Sequence, residues 1–132
     1  MILYAKLVLL FVLLALVLGG HFAVRGLRRF PVDPQRHVPV ADAERGKIML
    51  REYGCIACHT IPGVPGATGR VGPELDDVAE RIYIAGVLPN SPQNLVDWIQ
   101  NPRQAAPRTA MPNLNVNQKD ARDIAAYLYA HQ

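Results

Sequence analysis

Two thiols three positions apart, followed at once by an imidazole, stand in the run Cys55-Ile56-Ala57-Cys58-His59. One helical turn brings positions 55 and 58 to the same side. Both sulfurs can then bond the vinyl groups of one haem while the imidazole turns under the macrocycle to reach its iron. A thioredoxin-like redox pair would need a strand before it, and half of a zinc site would need a second ligand pair. A helix pattern precedes the motif instead, and the chain's 2 cysteines are both inside it. The reading is therefore one covalent haem c with its iron, attached through Cys55 and Cys58 and ligated by His59. No cysteine is left for a disulfide framework, and the fold must be built around the macrocycle.

At 132 residues the chain has room for one small domain and an extra N-terminal piece. Residues 2–18 are apolar except for Lys6, and the run continues to Val24, past the ~20 residues that span a bilayer. A cleaved signal would have a short apolar core and a small-x-small site, whereas this core is long, so residues 1–24 read as a retained single-pass anchor, with cleavage as the alternative. Residues 25–41 contain the stretch FPVDPQRHVPV, whose three prolines and lack of helical periodicity read as an extended linker. At ~3.1 Å per residue it reaches at most roughly 50 Å. Residues 42–132 form the haem domain.

The net charge of +3 does not point to nucleic acid. From Arg36 onward ten basic residues balance ten acidic ones, so the excess lies in Lys6, Arg25, Arg28 and Arg29. Those arginines follow the span, and the positive-inside rule alone would put the haem domain in the cytoplasm. Covalent haem attachment in c-type proteins occurs on the outer face, and a motif on the wrong side would never be filled. The expectation is thus a bacterial inner membrane with the haem domain on the periplasmic side. Outer-leaflet lipid headgroups, an acidic partner and plain snorkelling all remain open as roles for the arginines. For Lys6, a partner helix and snorkelling remain open likewise.

Asp42 can cap a helix to about Tyr53, in which Gly46, Met49, Leu50 and Tyr53 share one face. A glycine on an apolar helix face costs up to ~1 kcal/mol relative to alanine, which suggests that another helix crosses closely there. The partner is a segment from Asn117 to about His131, capped by Asn117 with Asp120 as a capping-box variant. Its buried stripe is Ala121, Ile124, Ala125 and Leu128. Leu75 to about Ala85 reads as another helix, with Leu75, Val78, Ala79 and Ile82 inward. Ser91-Pro92 opens a fourth, with Leu95, Trp98 and Ile99 on one face, stopped by Asn101-Pro102. The class is all-α: about four short helices around a haem, with no convincing strand, and a core too small to fold cooperatively without it.

The sixth iron position has as candidates Met1, Met49, Met111, His21, His37 and His131. Met1 and His21 belong to the apolar segment, Met49 precedes the motif on its own helix, His37 is in the linker and His131 ends the last helix. Met111 is left, in the irregular segment Pro107 to Asn115, where a methionine has no helix face to pack.

A Gly/aromatic helix, CxxCH, Gly72-Pro73-Glu74-Leu75, the Met111-Pro112 loop and a last helix containing Ala126-Tyr127-Leu128 together resemble a class I cytochrome c over roughly residues 42–131. The resemblance implies that Pro73 offers its carbonyl to Nδ1 of His59, and that Gly46 and Tyr53 pack on Tyr127. It further implies that Trp98 reaches a haem propionate or else serves as an ordinary core residue. Leu88-Pro89-Asn90-Ser91-Pro92-Gln93-Asn94-Leu95 and Ala110-Met111-Pro112-Asn113-Leu114 sharpen the likeness to the cytochrome domain fused to subunit II of caa-type haem-copper oxidases. Unlike that subunit, this chain has no dinuclear-copper motif and no room for its β-domain. The function implied is a carrier rather than an enzyme, moving single electrons from a quinol-oxidising complex to a terminal haem-copper oxidase. A fixed haem subunit of an oxidase or respiratory supercomplex is the alternative. A haem peroxidase or gas sensor would need a distal acid or base that the sequence does not supply.

Overall fold

A computed structural model describes Tyr4, Lys6, residues 8–16, Gly19 and residues 37–131. The chain divides into two units, Met1–Pro31 and Val32–Gln132. In the first, the described residues are helical, and the large apolar side chains between Val8 and Leu16 are exposed. Among the described residues, no helix is long and apolar enough to cross a membrane. The rest of the anchor expected over residues 1–24, and residues 25–36 with the arginine cluster, lie outside the described residues.

The second unit is mainly helical. In chain order it contains α1 (Ala43–Glu52), a 3-10 turn (Cys55–Ala57), a second 3-10 turn (Val78–Glu80), β1 (Tyr83–Ile84) and β2 (Leu88–Pro89). Then follow α2 (Pro92–Gln100), α3 (Pro102–Ala105) and α4 (Gln118–Ala130). Each long helix begins as the sequence implies. Asp42 accepts from the Arg45 N–H, Ser91 from that of Asn94 with Pro92 in the first turn, and Asn117 from that of Asp120. Glu44 in the first turn and Arg51 in the last complement the dipole of α1.

The core lies where α1 crosses α4. Leu50, Ala121, Ile124 and Ala125 are all but inaccessible there. A Cβ on Gly46 would lie 2.0 Å from the Asp123 carbonyl oxygen and 2.9 Å from the Ile124 nitrogen, so the two helices meet backbone to backbone. The expected close crossing is present, and its reason is the missing side chain.

The expected helix from Leu75 to about Ala85 is not formed. Asp77 takes a left-handed conformation with φ of 50°, only three residues turn around Val78–Glu80, and Ile82 is exposed. The chain then makes an antiparallel hairpin, pairing Tyr83 with Pro89 and Ile84 with Leu88. Ala85 and Gly86 both have positive φ, and the Val87 N–H donates to the Ile84 carbonyl, the geometry of a hairpin turn whose twist matches its strands. The fold is thus not purely α. Asn101-Pro102 ends α2 as expected, and the proline then opens the separate single turn α3.

Candidate haem-binding site

α1 ends at Tyr53, and Gly54 at φ of 74° swings the chain into the 3-10 turn that carries the cysteines. Cys58 and His59 both donate their N–H to the Cys55 carbonyl, at 3.2 and 3.0 Å. The two thiols are not bonded to each other and are half-buried, and burial pushes the Cys55 thiol up.

His59 is fixed by what surrounds its ring. Its Nδ1 stands 2.7 Å from the Pro73 carbonyl oxygen. A carbonyl only accepts, so Nδ1 carries the proton and Nε2 keeps its lone pair for a metal. The chain on either side of Pro73 is pinned by Gly72 N–H to the Cys58 carbonyl and Leu75 N–H to the Thr60 carbonyl, each 2.8 Å. A Cβ on Gly72 would sit 2.3 Å from Cε1 of the imidazole, so only glycine lets this strand of chain lie flat against the ring.

A cavity of about 410 Å³ opens beside this turn, within the range of small-molecule and cofactor pockets. Cys55, Cys58, His59, Pro73, Trp98 and Met111 all line it, so the residues singled out from sequence converge on one space. Leu50, Leu95, Ile99, Ile124 and Leu128 supply apolar wall from α1, α2 and α4. Trp98 is buried on α2, and Met111 is half-buried with its N–H donated to Thr109 Oγ1 at 3.2 Å. Met49, His37 and His131 do not line the cavity, and His131 stacks on Tyr127 with ring centroids 4.0 Å apart. Met1 and His21 lie outside the described residues.

At the helix crossing Tyr53 donates its hydroxyl to Asp120 Oδ2 at 2.7 Å, while the Tyr127 hydroxyl donates to the Pro62 carbonyl at 2.7 Å. Asp120 pairs with the capping Asn117 in both directions, its N–H donating to Asn117 Oδ1 and its carboxylate accepting from Asn117 Nδ2, and it also accepts from Tyr53 and Arg45. Asp123, almost wholly buried, accepts from the Asp42 N–H, Lys119 and Arg45. Burial alone would raise both carboxyls, yet these donors outweigh it and hold them below the usual carboxylate range. On the sequence only Asp120 stands out, as a capping-box variant, and no spacing marks these residues as a network.

Of the other cavity residues, Arg81 is not singled out from sequence, and Asn90 figures only within the stretch Leu88 to Leu95 that carries the family likeness, with no role of its own. What brings them to the wall is the hairpin that replaced the expected helix.

The cytochrome c family model matches residues 43–132. The chain is 33% identical over 87 residues to cytochrome c oxidase subunit 2 of Alkalihalophilus pseudofirmus, covering 65% of this chain and 25% of that protein. It is 28% identical over 89 residues to the protein of the same name in Bacillus subtilis, covering 66% and 25%. With that of Bacillus sp. strain PS3 it shares 31% identity over 71 residues, 52% and 20%. The chain thus spans about a quarter or less of the length of these curated relatives. No solved structure matches it significantly. The likeness drawn from the sequence, to a c-type cytochrome and to the cytochrome domain of an oxidase subunit, is borne out. The cofactor of that domain fits what this chain offers: an apolar cavity, two thiols not bonded to each other, an imidazole with Nε2 available and a thioether. From the match over residues 43–132 and this donor set, the chain belongs to the cytochrome c family, with covalently bound haem c and its iron as cofactor.

Proposed function

We propose that the chain is a membrane-anchored, mono-haem electron carrier that takes single electrons from a quinol-oxidising complex and delivers them to a terminal haem-copper oxidase. The observation that carries this reading is the convergence of two thiols, one imidazole and one thioether on a single apolar cavity. Cys55 and Cys58 would hold the haem through thioether bonds, and His59 and Met111 would donate to its iron. Pro73 keeps the His59 ring in the tautomer that presents Nε2. Trp98 walls the cavity from α2 and orients the group within it.

When bound, haem c supplies one-electron exchange between ferrous and ferric iron. Two protein donors leave no position for a substrate, which supports carriage over peroxidase chemistry. A thioether donor and an apolar wall both favour the reduced state and raise the potential.

In this reading residues 1–24 form a single-pass anchor, residues 25–41 a linker and residues 42–132 the haem domain. That domain faces the periplasmic side of a bacterial inner membrane, near membrane lipid. Anchoring would present it to a neighbouring complex at an effective concentration on the order of mM. The oxidase as acceptor is supported by relatives named cytochrome c oxidase subunit 2. The same names favour a second reading, a haem subunit permanently docked in such an oxidase. Mild detergent separates the two, since a subunit co-purifies stoichiometrically and a mobile carrier does not.

The test of the site is the absorption spectrum of the purified full chain and of Met111→Ala. The ferric wild type should show the weak far-red band that reports sulfur bonded to iron, and the variant should lose it. A wild type without that band would refute the assignment of Met111 and bring gas-binding or enzymatic roles forward.

A further inference from the structure

The wall that follows Pro73 turns regularly only over Val78–Glu80 before the hairpin begins, so its carbonyls need partners from elsewhere. Val78 and Ala79 are buried there. Within the turn the Val78 carbonyl receives the Arg81 N–H at 3.4 Å, a long bond. Asn90 supplies what the backbone does not: its Nδ2 donates to the carbonyls of Val78 and Arg81, each at 2.7 Å. Its Oδ1 accepts from the Tyr129 hydroxyl on α4 at 2.7 Å, and Tyr129 is buried. Two carbonyls can only accept, which settles how the amide is turned. The Asn90 N–H is used as well, donated to the Ile82 carbonyl at 2.9 Å. Asn90 and Val78 both line the cavity, so the amide that ties this wall together is part of the lining itself.

Resting on the electron-carrier reading above, we infer that Asn90 is the positioning residue that keeps this wall closed, with Tyr129 tying the closure to α4, and so bars small outside ligands from the sixth iron position. Carbonyls in an apolar wall that lose their donors draw water to themselves. A ligand from solvent enters when the wall opens, and each hydrogen bond that opening breaks lowers the open fraction by about fivefold. Asn90 places two such bonds within the wall, and the Tyr129 hydroxyl adds a third.

The Arg45, Asp120 and Asp123 network provides the contrast. It also fastens α4, but to α1, and none of its three members lines the cavity. Weakening it lowers the stability of the whole domain, whereas removing the Asn90 amide acts on the wall. Leucine matches asparagine in outline and carries neither its donors nor its acceptor. Placed at position 90, it tests the hydrogen bonds and leaves the space filled.

The experiment is an imidazole titration of the full haem-loaded ferric chain in wild type, Asn90→Leu, Tyr129→Phe and Asp123→Asn. Binding is followed by loss of the far-red sulfur band, and hydrogen exchange over residues 76–81 is measured in the same samples. Asn90→Leu should bind imidazole about tenfold more tightly or better and exchange faster over that segment. Tyr129→Phe, which loses one bond, should gain about three- to fivefold. Asp123→Asn should lose stability to urea yet change its imidazole affinity by less than about twofold. An Asn90→Leu variant with wild-type affinity overturns the inference, as does an Asp123→Asn variant that gains as much as Asn90→Leu. Should Asn90→Leu fail to take up haem, Tyr129→Phe decides, and an affinity equal to wild type overturns the inference. A wild type without the far-red band sinks the assignment of Met111 and this inference with it, whereas a band with unmoved affinities sinks only the role of Asn90.

Discussion

Replacing Gly46 by alanine sets helix propensity against packing at a point where the two differ in sign. In an isolated helix the change would add about 1 kcal/mol of stability. Here the new methyl carbon would meet the Asp123 carbonyl oxygen at 2.0 Å and its carbon at 2.4 Å, both backbone atoms with no rotamer to yield. The helices must part by roughly 1.5 Å to reach ordinary contact. Parting them loosens Leu50, Ala121, Ile124 and Ala125, none more than 1% exposed. It also stretches the Asp42 N–H bond to Asp123 and the Tyr53 bond to Asp120, of 2.8 and 2.7 Å. Overpacking of this kind costs about 2 kcal/mol, and two weakened hydrogen bonds about 1 kcal/mol each. After the propensity gain the net loss is about 3 kcal/mol. Urea denaturation of the haem-loaded chain should show it as a midpoint lowered by about 1.5 M at a slope of about 2 kcal/mol per M. A Gly46→Ala protein as stable as wild type would refute the backbone-to-backbone crossing.

Three further outcomes follow from the same geometry. The Asp120 and Asp123 carboxyls are held below their ordinary range despite burial, so the stability they contribute is complete above the unfolded value of about 3.9 and is lost as pH falls through their folded values. Denaturation midpoints measured from neutrality to about pH 2 should therefore fall less steeply for Asp123→Asn than for wild type, and equal slopes would contradict the network's role. Gly72→Ala places a methyl carbon 2.3 Å from the imidazole of His59. It should displace the ring from the Pro73 carbonyl, cost about 1–3 kcal/mol and weaken the low-spin ferric spectrum, whereas an unchanged spectrum would show that the ring has room to spare. A chain made unable to attach haem by Cys55→Ser and Cys58→Ser would leave the apolar wall formed by Leu50, Leu95, Ile99, Ile124 and Leu128 facing water instead of a macrocycle. At about 1.5–3 kcal/mol per large apolar side chain the lost burial is comparable to the whole stability of a small domain. Circular dichroism should show no cooperative melt, and a native-like one would disprove the dependence.

Much of the site was legible in the sequence because its chemistry is local. Cys55, Cys58 and His59 announce themselves by spacing, Met111 by standing in a segment with no helix face, and Gly46 by being a costly residue on an apolar stripe. The stretch from Leu75 to Ala85 misled because Leu75, Val78, Ala79 and Ile82 keep helical spacing. What breaks the helix is the left-handed backbone at Asp77, Ala85 and Gly86, of which only the glycine carries a visible signal. The Arg45, Asp120 and Asp123 network was hidden for a different reason. Arg45 lies 78 and 75 residues from Asp123 and Asp120, and burial alone distinguishes a paired carboxylate from a solvated one. Arg81 acquires meaning only once the fold has brought it to the cavity.

The crossing of α1 and α4 also sets the order in which the domain assembles. Asp42 and Asp123, hydrogen-bonded to each other, are 81 residues apart. Closing a flexible loop of that length costs about 4 kcal/mol of chain entropy, which must be spent before any contact at the crossing is gained. Ile124 and Leu128 of α4 form part of the cavity wall, and α4 leaves a ribosome after the elements that carry the rest of that wall. Until it arrives, the wall behind Cys55, Cys58 and His59 is incomplete and the thiols sit in an open chain. The molecule therefore has a built-in interval before α4 docks in which a bulky macrocycle can be joined to both sulfurs without prising apart a finished core.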